Sequence, residues 1–243
     1  MPESARRYKY LDVLTTMFVV VLLVSNLVAQ KICMFGPFVV SRFKIGPFAV
    51  SGAVLLFPIT YIFGDVFTEV YGFSSSRRAI WLGFFGTALL YLVGAAVIAL
   101  PGAPDWKNQE AFAVVFGFIP RILIASLIAF WAGEFANSYT MAKMKLRTNG
   151  RKLWTRTVGS TVVGQGVDTV LVITLTFAGR YPVHTLISII LTGYLLKVGY
   201  EVIATPITYF VIGRLKAGEH ADAFDRHENF NPFHFSERDA ESR

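Results

Sequence analysis

The chain is poor in the residues that do chemistry. It has one cysteine, Cys33, and four histidines in 243 residues. A lone thiol forms no intrachain disulfide and no cysteine-based metal centre, and nothing marks an oxidising compartment. His220, His227 and His234 recur every seven residues, but Asn231-Pro232 breaks any helical spacing between them, so solvated histidines account for them better than a metal site. There is no HExxH, no GxSxG and no Walker-type phosphate loop. Asp65 and Asp168 carry no further signature of intramembrane hydrolysis. The chain therefore reads as a non-enzyme without a cofactor. Charge is scarce too: 16% of residues are charged and 54% hydrophobic, with a mean hydropathy of +0.52. A soluble domain of this size would not stay in solution on that balance.

What is present is apolar and long. A helix needs roughly 20 apolar residues to cross a bilayer, and six segments qualify: about 11–32, 50–71, 79–100, 112–141, 158–178 and 184–213. The expected fold is an all-α integral membrane protein of six transmembrane helices. MPESARRYKY resembles a signal-peptide n-region, but the apolar run behind it is too long and lacks a small-residue cleavage pattern, so it reads as a retained first span. Between the first two spans, FGPFVVSRFKIGPFAVSG sets two Gly-Pro steps around an alternating stretch, which predicts a short extended hairpin.

The net charge of +7 does not point to nucleic acid, because the basic residues lie between the hydrophobic segments. Thirteen fall on one set of alternate segments: Arg6, Arg7, Lys9; Arg77, Arg78; Lys143, Lys145, Arg147, Arg151, Lys152, Arg156; Arg214 and Lys216. The other set holds six. Both termini are therefore expected in the cytoplasm. From about residue 215 the chain is charged and poor in aliphatic residues. This divides it into a transmembrane domain, 1–214, and a cytoplasmic tail, 215–243.

Polar residues interrupt the spans in pairs. Asn26 and Gln30 lie on the first, Asp65 and Glu69 with Thr68 on the second, Glu134 and Asn137 on the fourth, Gln165 and Asp168 on the fifth, and Lys197 and Glu201 on the sixth. Each pair is spaced three or four residues apart and so shares one helix face. An Asp at the centre of a span costs roughly 2.5–3.5 kcal/mol, against about 0.3–0.6 returned by each Leu or Phe. Carboxylates retained at that cost face a bundle interior or cavity with a partner. For the amides, hydrogen bonding from helix to helix is the simpler account. Lys197 and Glu201 could close an ion pair along their own helix, and Glu69 could sit at the interface against Arg77 or Arg78. With Phe57 and Tyr61 nearby, the set suits a small polar solute, and a planar heterocycle in particular. One weak internal echo, Gly64-Asp65 against Gly164-Gln165, is compatible with two inverted halves of three spans.

FPITYIFGDVFTEVYGFSSSRRAIWLGF, residues 57–84, resembles the signature of the queuosine precursor transporters, a branch of the vitamin uptake transporter superfamily. Ser25-Asn26, Gly133-Glu134 with Asn137, Arg156 with Ser160, Gly164-Gln165 with Asp168, Lys197 with Glu201, and NFNPF at 229–233 continue the likeness in order. The resemblance implies a fold similar to the substrate-binding subunits of energy-coupling-factor importers. It also implies import of 7-deazaguanine bases, the 7-cyano and 7-aminomethyl forms, across the bacterial inner membrane. It carries substrate binding over to Asn26, Asp65, Glu69, Glu134, Asn137, Gln165, Asp168 and Lys197, with Gln30, Phe57, Tyr61, Thr68 and Glu201 as supporting residues. Two workings fit: a stand-alone secondary transporter, or a capture subunit of an ATP-driven importer. Leu11 to Val28 offers only Ser25 as a small residue for docking partner proteins, which favours the first. Membrane lipid and a small-molecule substrate are the expected partners, nucleic acid is not, and the sequence leaves monomer and homodimer both open.

Overall fold

The computed structural model describes residues 8–29, 31–35, 38–40, 43–45, 48–117, 120–179, 181–226 and 228–234. Seven α-helices form it: α1 (Leu11–Val28), α2 (Phe57–Val66), α3 (Phe73–Ala99), α4 (Gln109–Phe116), α5 (Pro120–Thr148), α6 (Leu153–Phe177) and α7 (Val183–Glu219). Between α1 and α2 the chain makes two nested antiparallel pairs. Strand β1 (Ile32–Phe35) pairs with β4 (Phe48–Ser51), and β2 (Phe38–Val40) with β3 (Phe43–Ile45). The expected hairpin is there.

Four helices are long and apolar enough to cross a membrane among the described residues: α1, α3, α6 and α7. The other two expected spans depart from regularity, each for a reason visible in the sequence. The segment read as 50–71 begins as strand and a 3-10 turn (Gly52–Leu55), runs as α2, and ends in a π-helical turn, Phe67–Tyr71. The segment read as 112–141 is split, because α4 ends against Gly117 and α5 restarts at Pro120, a residue suited to a first helical turn and not to an interior. Helix α5 has the length but carries Glu134, Asn137 and Ser138 midway. The two irregular segments are thus among those bearing the intramembrane carboxylates.

Helix α1, whose one small residue is Ser25, packs on α3. Glycines on α3 make the room instead: a Cβ at Gly83 would stand 2.9 Å from Leu22 Cδ2 and one at Gly86 3.3 Å from Val19 Cγ1. The most extensive helix–helix contact is α5 with α6. Helix α7, 37 residues, is about 55 Å long at 1.5 Å per residue, well beyond a hydrocarbon core of about 30 Å. Its surplus length carries Lys216 and Glu219 out to the end of the bundle that also holds Arg77, Lys145 and Arg156. There Glu219 accepts the backbone N–H groups of Lys9 (2.9 Å) and Tyr10 (2.7 Å) and the Tyr71 hydroxyl (3.0 Å), tying the end of α7 to the start of α1.

Beyond α7 the chain turns back as a strap, residues 221–226 and 228–234, across this basic end. Asp225 Oδ1 accepts the Phe73 N–H at 3.0 Å and so caps α3. Gly72, at φ +87°, makes that turn possible, and a Cβ there would meet Asp225 Oδ1 at 2.8 Å. Arg77 donates to Asn229 O (2.7 Å) and pairs with Glu228 (3.2 Å). Trp81 Nε1 donates to Pro232 O at 2.8 Å, and Phe230 lies 5.0 Å from Phe73, centroid to centroid. NFNPF is therefore a seated segment.

Asp222 gives the strap a pH signature. Burial works to raise its carboxyl, but hydrogen bonds from Lys145 and Lys216 outweigh this and hold it below its ordinary 3.8. A depressed carboxylate contributes stability that is present above its unfolded pKa and lost as pH falls through the folded one. Asp225, raised by burial, acts in the opposite sense, so Asp222 must be isolated by subtraction. The melting temperature of wild type in detergent is expected to exceed that of Asp222→Asn above pH 4, with the gap closing as pH falls below 3.8. A gap that does not change with pH would count against the bridge.

Candidate functional site: a carboxylate-rich centre between α2, α5, α6 and α7

Three glycines bring three helices together. A Cβ at Gly164 of α6 would stand 2.6 Å from Asn137 Cβ and 2.9 Å from Gly133 O, and one at Gly133 of α5 2.7 Å from Asp168 Cβ. The backbones touch here because neither helix has a side chain in the way. From the other side, a Cβ at Gly64 of α2 would lie 3.3 Å from Glu134 Oε2 and 3.6 Å from Asn137 Nδ2. The echo of Gly64-Asp65 in Gly164-Gln165 thus has a spatial counterpart, since the two glycines flank Asn137.

The residues set together by this crossing are the acidic ones. Lys197 of α7 donates to Asp168 Oδ2 of α6 at 2.5 Å, with both side chains about three-quarters buried (26% and 21% exposed). The Lys197 ion pair therefore runs between helices and not to Glu201 on its own helix. Glu134 lies within Coulombic range of Asp168, Lys197 and Glu201. Asp65 lies within range of Glu201, Glu134 and Glu69. Tyr61 lies within the same range of Asp168, Glu134 and Glu201. Asp65 and Glu201 are fully buried. Asp65 Oδ2, Asn137 Oδ1 and both oxygens of Glu201 have no hydrogen-bond partner. Buried acceptors without donors are costly, and this centre holds four of them.

The remaining expected residues fall elsewhere or play other parts. Glu69, on the π turn, belongs to a second cluster at the basic end. Its Oε1 takes Lys216 Nζ at 2.6 Å, Arg156 Nη2 at 2.7 Å and Lys145 Nζ at 3.5 Å, and Lys145 also donates to the Glu69 carbonyl at 2.6 Å. Neither Arg77 nor Arg78 is its partner in these ion pairs. Asn26 is held between α1 and α3, donating to Leu22 O (2.8 Å) and accepting from the Tyr91 hydroxyl (2.9 Å). Thr68 donates back to Gly64 O at 3.1 Å. Gln165 is half-buried one turn before Asp168. Gln30 and the Phe57 side chain lie outside the described residues. Sequence reasoning missed Tyr91, Lys145 and Lys216 as partners, because each is unremarkable in its own helix. The one available signal was the count of basic residues at that end.

Residues 51–211 match the family model described as "Putative vitamin uptake transporter". The chain belongs to this family. The vitamin uptake transporter family model takes in α2, α3, α5, α6 and most of α7, and with them the whole carboxylate centre. A "Probable queuosine precursor transporter" of Bacillus subtilis (strain 168) is 34% identical over 146 residues, covering 60% of this chain. The match spans 64% of that relative's length. No solved structure matches.

Proposed function

We propose that this family member imports 7-deazaguanine bases, precursors of queuosine, across the bacterial inner membrane as a stand-alone secondary transporter. In this reading α1, the α2–π segment, α3, α5, α6 and α7 are the six spans, and the basic end faces the cytoplasm. The observation that carries it is the convergence of Asp65, Glu134, Asn137, Asp168, Lys197 and Glu201 from four helices, with acceptors left free. A guanine-type edge offers a ring N–H beside an exocyclic amine, and its carbonyl needs a donor, which Lys197 or Asn137 supplies. The Asp168 pair holds Lys197 in place while leaving it further N–H groups to donate. Binding at an enclosed centre between packed helices then calls for alternating access, as in transporters whose site lies near the bilayer midplane.

The test is equilibrium binding of 7-cyano-7-deazaguanine, guanine and adenine to the purified protein. Wild type should bind the first two, and Asp168→Asn or Asp65→Asn should weaken them by on the order of 10- to 100-fold, the worth of hydrogen bonds to charged groups. Adenine should be rejected, since its edge leaves the buried acceptors unpaired. If wild type binds none of the three and the variants merely melt earlier, the polar centre is structural and this reading is wrong.

A further inference from the structure

Within the proposed recognition of a guanine-type base, on which this step rests, the carboxylates of the centre are not equivalent. Asp168 is committed to Lys197 at 2.5 Å. Asp65 has one buried oxygen without a partner, Oδ2. Glu134 stands against α2 at Gly64 and is half-buried. Glu201 differs from all three: it is fully buried, and neither Oε1 nor Oε2 has a partner. The cation one turn before it, Lys197, is drawn across to α6. The Thr205 hydroxyl one turn after it bonds the Glu201 carbonyl and not its side chain.

We infer that Glu201 is the specificity-determining residue that reads the amino edge of the base, accepting the ring N–H on one oxygen and the exocyclic amine on the other. Two parallel N–H donors on a planar ring match the two oxygens of a carboxylate in a bidentate pair. Among the described residues, Glu201 is the carboxylate of this centre with both oxygens buried and without a partner. A buried acceptor pair of this kind discriminates against a ring that lacks one of the donors, because an oxygen is then left bare. The relevant contrast is guanine against hypoxanthine, which differ only in the exocyclic amine.

The full-length protein in detergent would be titrated with guanine and hypoxanthine, as wild type, Glu201→Gln and Asp168→Asn, with a melting curve for each. Wild type should prefer guanine by on the order of 10- to 100-fold. In Glu201→Gln the amide oxygen still accepts the ring N–H, but the amide NH2 faces the exocyclic amine donor to donor. Guanine binding should fall to the level of hypoxanthine, which itself changes little. Asp168→Asn should weaken both bases and keep their ratio. Should Glu201→Gln fail to fold, Glu201→Asp carries the test: the charge is kept but withdrawn by one methylene, and the ratio should narrow. A folded Glu201 variant that keeps the wild-type guanine preference overturns the assignment. Wild type that binds neither base overturns the substrate reading instead, so the two failures are told apart.

Discussion

Glu69→Ala is expected to prevent stable folding. The Glu69 carboxylate is wholly buried, and its Oε1 is shared by Arg156, Lys216 and Lys145, of which Arg156 and Lys145 are themselves buried. Exposed ion pairs contribute little, but removing one member of a buried pair strands the other, at about 3–5 kcal/mol. Here one deletion takes the carboxylate from Arg156 and leaves Lys145 and Lys216 to Asp222, at 2.5 Å and 2.8 Å. Typical total stabilities are only about 5–15 kcal/mol. The hub also ties the π turn to α5, α6 and α7, so its loss is not local. Glu69→Gln keeps the shape and removes the charge, and should be nearly as damaging. Yield and melting temperature in detergent decide it, and a Gln variant that melts with wild type would show that the hub is energetically idle. Any loss of substrate binding on changing Glu69 should track the loss of melting temperature, unlike that from Asp168.

The second large effect is expected at Gly164. A methyl group there would stand 2.6 Å from Asn137 Cβ, 2.9 Å from Gly133 O and 3.1 Å from Asn137 Cα. These are backbone or first side-chain atoms, so no rotamer change relieves the clash and α5 must draw away from α6. Overpacking of this kind costs about 1–3 kcal/mol. The functional cost is larger, because the shift separates Asn137 from Asp168, and misplacement of site groups by about 1 Å can cost on the order of 100-fold. Gly164→Ala should therefore fold with a lowered melting temperature and lose base binding. Gly199→Ala, on α7 two residues before Glu201, is the control: nothing lies within 4 Å of its added methyl, and alanine is the better helix former. It should melt and bind as wild type or better. Equal binding by both variants would mean that the close crossing does not set the site.

Some of this was written in single residues and short spacings. Apolar runs long enough for a bilayer, the Gly-Pro steps of the hairpin and the polar pairs three or four apart are properties of a few consecutive residues, and sequence displays them directly. So is the family likeness in residues 57–84. Partner choice is of another kind. Lys197 has Glu201 one turn away on its own helix and takes Asp168, 29 residues distant; Glu69 takes Arg156 and Lys216, 87 and 147 residues distant. Asn26 accepts on its oxygen from Tyr91, 65 residues distant. Those choices follow from where Gly64, Gly133 and Gly164 let backbones touch and how far α7 reaches beyond the other helices. The seating of the tail on Arg77 and Trp81 has the same origin, since a charged segment gives no hint of the surface that will receive it. Hydropathy and spacing placed the carboxylates inside the bundle, and the packing of helix against helix decided which are neutralised and which are left with free oxygens.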